Sequence, residues 1–198
     1  MKLRFRHALT MFCAALLPAQ AALAMTVQPV VIDLQTAGRQ MSTVVTVENT
    51  FATPLPVELT VQELELTPEG VKQTGKDPGD LMVFPPQTII EPGQTQTFRI
   101  QYVGDPDLAK SKHYYVTVAQ LPVKLPEGQS AIQILYNFQV LVSIAPAGIK
   151  PQIAVQSAEI GKNNAGKPIA VVTVANESTA HGYLANGHLR IVEEDASG

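Results

Sequence analysis

Cysteine is almost missing from this 198-residue chain: the single one, Cys13, lies in a leader-like amino terminus. Beyond it no intrachain disulfide can form, so stability must come from buried apolar side chains. Sustained apolar spacing at i, i+3, i+4 and i+7 is also absent, which argues against a helical bundle. No HExxH, nucleophile-elbow, Walker or glycine-rich dinucleotide pattern occurs, so the enzyme classes that depend on those motifs lose their support. The four histidines are scattered. His7 is in the leader, His113 opens a strand-like run, and His181 and His188 fall near the end with Glu193, Glu194 and Asp195 nearby in sequence. That last group reads as a solvated loop and tail rather than a metal site, and no metal or cofactor is expected. Positive charge is scarce as well. The formal net charge of -3 becomes -6 once Lys2, Arg4 and Arg6 leave with the leader, which argues against a nucleic-acid partner.

What the amino terminus does contain is a set of export signals. Lys2, Arg4 and Arg6 precede an apolar stretch from Ala8 to Leu17 that is too short to span a bilayer, and Ala22-Leu23-Ala24 is a small-residue cleavage site. Residues 1–24 are therefore expected to be a cleaved signal. The mature chain would start at Met25, be exported, and insert into no membrane after cleavage. The 174 residues left suggest one full domain and part or all of a second.

Short runs of Val, Ile, Thr, Tyr and Phe alternate with Pro, Gly and Asn clusters, an all-β pattern. Strands are predicted at Thr26–Leu34, Met41–Glu48, Leu55–Leu66, Thr95–Val103, His113–Leu121 and Ala131–Ile144, with an edge segment at Leu81–Phe84. Seven strands in about 120 residues fit an immunoglobulin-like β-sandwich over residues 25–144. Ala145-Pro146-Ala147-Gly148 opens a linker over 145–150. Strand signals resume at Gln152–Ile160, Ile169–Ala175 and His188–Val192, so residues 151–198 are expected to form a second β domain. That domain reads as incomplete, since a sandwich needs roughly 90–100 residues. Asn176-Glu177-Ser178 fits a glycosylation pattern but is read as a turn.

The longest alternation in the chain runs from Ile132 through Ile134, Tyr136, Phe138, Val140 and Val142 to Ile144. Seven apolar side chains on one face exceed what an average strand of ~5–6 residues needs. Either they fill the core of their own sandwich, or part of that face serves a partner by strand addition.

The surrounding motifs bear on that choice. Val83-Phe84-Pro85-Pro86 followed by Ile90-Glu91-Pro92-Gly93-Gln94 and Phe98-Arg99-Ile100 is similar to a "PP…l.PG..q..Ri" stretch. Tyr114-Tyr115-Val116-Thr117-Val118-Ala119-Gln120-Leu121-Pro122 is similar to an aromatic strand closed by "(R/Q)-(E/Q)-(I/L)-P". Val45-Thr46-Val47-Glu48-Asn49 matches an "l.v.N" ending that returns at Val172-Thr173-Val174-Ala175-Asn176. In this order and spacing, the motifs resemble the periplasmic pilus-assembly chaperones of the chaperone–usher family over nearly the whole mature chain.

The resemblance implies two immunoglobulin-like domains in an L-shape, and a non-enzymatic function. The chain would hold pilus or fimbrial subunits in the periplasm by donor-strand complementation and deliver them to an outer-membrane usher. Ile132, Ile134, Tyr136, Phe138, Val140 and Val142 would form the donor face. In the best-known members an arginine on the first strand and a lysine on the last hold the subunit's terminal carboxylate. Those positions fall at Pro29 and Leu141, neither of which has a side chain able to do so. The chain thus resembles the archaic (Csu-like) branch more than the common type, and the substitute anchors are Arg99, Lys110 and Lys112. Two rival readings are a structural pilus subunit or adhesin domain, and an exported enzyme on a β-sandwich. The missing cysteine pair and the mid-chain position of the long strand speak against the first, and the missing motifs against the second.

Overall fold

A computed structural model describes residues 25–67, 69–123 and 134–188 of the 198. Twelve strands account for its regular structure, and no α-helix occurs among the described residues. None of these residues belongs to a helix long and apolar enough to cross a membrane.

Two sheets face each other in the first unit. One is formed by β1 (Met25–Gln28), β3 (Ser42–Asn49), β8 (Thr95–Tyr102) and β6 (Leu81–Phe84), in the order β1-β3-β8-β6. The other runs β2-β10-β9-β4-β5, from β2 (Val31–Gln35), β10 (Asn137–Ala145), β9 (Lys112–Gln120), β4 (Leu55–Thr67) and β5 (Gly70–Gln73), with β7 (Gln87–Ile90) also paired to β4. Every pairing is antiparallel except β10 with β2. This is the two-sheet, all-β, immunoglobulin-like arrangement expected from the sequence.

The alternation that marks the strands also builds the core. Val45 and Val47 from β3, Phe98, Ile100 and Tyr102 from β8, Val57 from β4, Tyr114, Val116 and Val118 from β9 and Val140, Val142 and Ile144 from β10 are all fully buried. Each large side chain removed from water contributes about 1.5–3 kcal/mol. That burial, rather than any cross-link, holds the layers together.

Several expected strands need redrawing. The predicted Thr26–Leu34 strand is two strands, because Pro29 has no N–H to give a ladder and the chain there crosses from the first sheet to the second. The predicted Ala131–Ile144 strand begins only at Asn137, with residues 131–133 outside the described set. β5 and β7 are additions, too short and polar to register as strand signals.

Asn49, at the end of β3, is buried and brackets the sandwich. Its Nδ2 donates to the carbonyls of Thr53 at 2.9 Å and Ile90 at 2.8 Å, and its Oδ1 accepts from the Phe51 N–H at 2.9 Å. Asn176 repeats the device in the second unit: its Oδ1 accepts from the Gln152 and Ser178 backbones, and its Nδ2 donates to the Ala180 carbonyl. The Asn176-Glu177-Ser178 segment is thus a turn.

The second unit is a hairpin of β11 (Ile153–Lys162) and β12 (Pro168–Asn176), with a register shift between Val155 and Ser157. Ile153, Val155, Ile160 and Ile169 are exposed on it. The strand expected at His188–Val192 lies, beyond His188, outside the described residues.

Candidate functional site

β10 has two edges with different fates. β9 pairs along one of them from Asn137 to Ile144. On the other, β2 pairs only from Leu141 to Ala145, and the bond from the Leu141 N–H to the Val30 carbonyl, 2.9 Å, is where that cover starts. From Asn137 to Val140 this edge has no strand partner among the described residues. An unpaired run of backbone donors and acceptors is a template for strand addition.

The side chains divide at the same place. Val140 and Val142 are 0% exposed and close this sandwich's own core, so neither can fill a groove elsewhere while the sandwich is folded. Phe138 is half-buried against that core. Tyr136 and Ile134 continue the same alternation beyond it at 37% and 71% exposure, and Leu135 between them is exposed as well. Tyr136 is held by its carbonyl, which accepts from the Gln120 N–H at 2.9 Å, and by a tilted ring contact with Phe51 at 5.8 Å. Ile132 lies outside the described residues. The outward apolar face is therefore shorter than the sequence alternation suggests. Where the chain crosses between the two sheets, an open groove of about 830 Å³ is lined by Pro29, Val30 and Val31 on one side and by Val44 and Thr46 on the other.

The three cations sit in different places. Arg99 is on the outer face of the four-stranded sheet, its Nη2 donating to Ser42 Oγ at 3.2 Å, with the sandwich core between it and β10. Lys112 is engaged within the first unit, its Nζ 2.9 Å from Asp80 Oδ2 and 3.8 Å from Glu63 Oε1, while Tyr114 donates to the same Asp80 oxygen at 2.7 Å. Burial raises the Asp80 carboxyl, but the hydrogen bonds from Tyr114 and Lys112 outweigh it and hold the group below the ordinary carboxylate value. The hydrogen bond to Asp80 in turn raises Lys112, and burial pushes Tyr114 upward. Lys110 is the one of the three at the junction of the two units, where it lines an open hollow of about 420 Å³ with Ser111, His113 and His181.

That junction holds residues which the sequence reading passed over. Asp33, Ser143 and His113 are cross-strand neighbours on β2, β10 and β9, forming one row on the outer face of the second sheet. The segment after β12 lays His181 and Tyr183 against this row. His181 Nε2 is 2.9 Å from Asp33 Oδ1, His181 Nδ1 is 2.9 Å from Ser111 Oγ, and the Tyr183 hydroxyl donates to Asp33 Oδ1 at 2.7 Å. His113 Nδ1 meets Ser143 Oγ at 2.9 Å, and its ring stands edge-on to His181 at 5.4 Å. Burial, with His181 adding to it, pushes His113 down to about 4 against the opposing pull of Asp33. The expectation that His181 belongs to a solvated loop is thus corrected: its side chain is 13% exposed and bonded on both nitrogens. No sequence signal brings these residues together, because Asp33 and His181 are 148 positions apart. Among the described residues no three or more His, Cys, Asp or Glu form a group able to hold a metal.

Comparison with known proteins adds family and fold. No curated protein sequence matches. The fold is shared with the structure described as a chaperone–tip adhesin complex of CFA/I fimbriae biogenesis, at TM-score 0.56 and 17% identity, covering 79% of this chain and 68% of that one. It is shared with the CsuC–CsuE chaperone–tip adhesion subunit complex of Acinetobacter baumannii, at TM-score 0.53 and 13% identity, covering 79% and 78%. The Salmonella enterica SafA pilin–SafB chaperone complex matches at TM-score 0.51 and 15% identity, covering 81% and 85%. At such identities the likeness speaks of fold alone and not of branch. The family model described as "Pili and flagellar-assembly chaperone, PapD N-terminal domain" matches residues 24–150, well over half of the sequence, and the chain belongs to that family.

Proposed function

We propose that this chain is an exported chaperone that binds pilus or fimbrial subunits through the free edge of β10 and hands them to an outer-membrane usher. One observation carries the reading: the second edge of β10 has no strand partner among the described residues from Asn137 to Val140, and apolar side chains at Ile134, Tyr136 and Phe138 continue the core alternation out of the sandwich. A subunit lacking a strand exposes an apolar groove between unpaired edges, and this edge offers the backbone ladder and side chains to cover both. Ile132 extends the same face in sequence. The role fits the pili-assembly chaperone family, and the SafB and CsuC structures are of chaperones in complex with a pilin and a tip subunit. Of the proposed carboxylate anchors, Lys110 has the position that best suits a ligand reaching the junction. Residues 1–24 serve as the export signal.

Ile134→Asp tests the reading, since a charge placed in an apolar groove costs several kcal/mol (~2–7). The variant is expected to fold and be exported as the parent is, yet to lose co-purifying subunit more than about tenfold. Gln139→Asp, on the opposite and exposed face, should retain it. Retention of subunit by folded Ile134→Asp would show that this edge is not the binding strand.

A further inference from the structure

The cluster at the junction does no work in the proposed subunit-binding mechanism, yet it is the main polar contact between the two units. Ser111 joins it twice more, its N–H donating to the Thr179 carbonyl at 2.9 Å and its Oγ accepting from the His181 N–H at 2.9 Å. With His181 Nε2 donating to Asp33, its Nδ1 is left to accept the Ser111 hydroxyl proton. Asp33 Oδ1 receives both His181 and Tyr183, so the one carboxylate of the cluster ties the segment after β12 to β2.

We infer that Asp33, Ser111, His113, Ser143, His181 and Tyr183 form an acid-released clasp, which seats the β11–β12 unit on the first sandwich while His113 is neutral and lets it go when His113 takes up a proton.

The groups facing His113 determine the direction of the effect. From β2 comes one negative charge, Asp33, whose Oδ1 accepts from His181 and Tyr183 and whose side chain is otherwise half exposed to solvent. From the segment after β12 come the His181 ring at 5.4 Å and the Tyr183 hydroxyl, which reaches 3.4 Å from the Ser143 oxygen that His113 also uses. β10 contributes the uncharged Ser143, β4 contributes Leu64 opposite His113 in register, and Lys110 brings a positive charge to the rim of the hollow. An imidazolium at position 113 would therefore enter a half-buried site with a cation at its rim, where burial and the His181 ring outweigh the pull of the half-exposed Asp33. It would also be an obligate donor at both nitrogens. Opening hydrates the ring and removes the conflict. Proton uptake is thus linked to opening, and falling pH favours the open form from the ordinary imidazole value of 6.5 toward about 4.

Spin labels at Thr60→Cys and Ser157→Cys, both exposed positions on different units, report the separation by pulsed dipolar spectroscopy in exported protein, from which Cys13 has left with the leader. A narrow distance distribution at neutral pH is expected to broaden and lengthen on acidification toward about pH 4. In His113→Gln, which keeps a polar partner for Ser143 and cannot charge, that change should be lost or shifted by more than about one pH unit. An unchanged distance in the parent, an identical transition in His113→Gln, or near-ultraviolet signal from the sandwich lost over the same window would each overturn the inference. Should His113→Gln fail to fold, the His113 imidazole resonance of the parent supplies the test. It must titrate together with the distance change, and a separate midpoint overturns the clasp.

Discussion

Asp80 is held by groups that are neighbours only in the folded chain. Its carboxylate takes Lys112 and Tyr114, and its carbonyl accepts from the Val103 N–H at 2.8 Å. Because its folded pKa is depressed, the stability it contributes is present above the ordinary carboxylate value of 3.8 and is lost as pH falls through the lower folded value. Lys112 is raised, so its contribution is complete below 10.5 and is lost only as pH climbs through the higher folded value. Asp80→Asn should therefore lower the midpoint of thermal unfolding at neutral pH, by an amount equivalent to about 1.5–3 kcal/mol, with a smaller difference from the parent in strong acid. Gly104 guards the same group. A Cβ there would come within 2.8 Å of both Asp80 Oδ1 and the Tyr102 hydroxyl, so Gly104→Ala is expected to displace them and melt earlier than the parent, as calorimetry would show. Asn49→Ala removes the donor for the buried Ile90 carbonyl and the partly buried Thr53 carbonyl and should cost about 1–3 kcal/mol in a denaturant titration.

At the scale of the strand, β10 is two devices in one stretch of sequence. Val142→Asp places a charge in a fully buried position and should prevent folding or lower the melting temperature steeply, whereas Ile134→Asp should leave melting within about 0.5 kcal/mol of the parent. Equal effects of the two would contradict the division at Phe138. The alternation from Ile132 to Ile144 made the strand and its apolar face legible in the sequence. It could not show where the face stops being core, because a period of two is the same whether the neighbouring sheet is present or has ended. That boundary is set by register with β2, which depends on where Pro29 diverts the chain. The candidate cations illustrate the same limit. Arg99 was visibly out of phase with Phe98 and Ile100, but only the pairing of β8 with β3 and β6 shows that it faces away from β10. Asp33, His113 and His181 each looked ordinary because their meeting is a property of topology and not of spacing.

For the molecule as a whole, the two units differ in how they are covered. The sandwich buries its apolar strand faces, while the hairpin leaves Ile153, Val155, Ile160 and Ile169 in contact with solvent. Val155→Thr with Ile160→Thr should reduce binding of a hydrophobic dye and self-association in ultracentrifugation without altering the sandwich's unfolding transition. Mass spectrometry of exported protein is expected to find a chain beginning at Met25.

The half-length cover that β2 gives β10 has a consequence for any strand laid alongside. Such a guest can extend past residues 134–140, about 23 Å at the rise of an extended chain, and then meets Val30, whose carbonyl already holds the Leu141 N–H. β2 is a doorstop. It meters how much of the β10 backbone is open to pairing, and it does so without reading a single side chain.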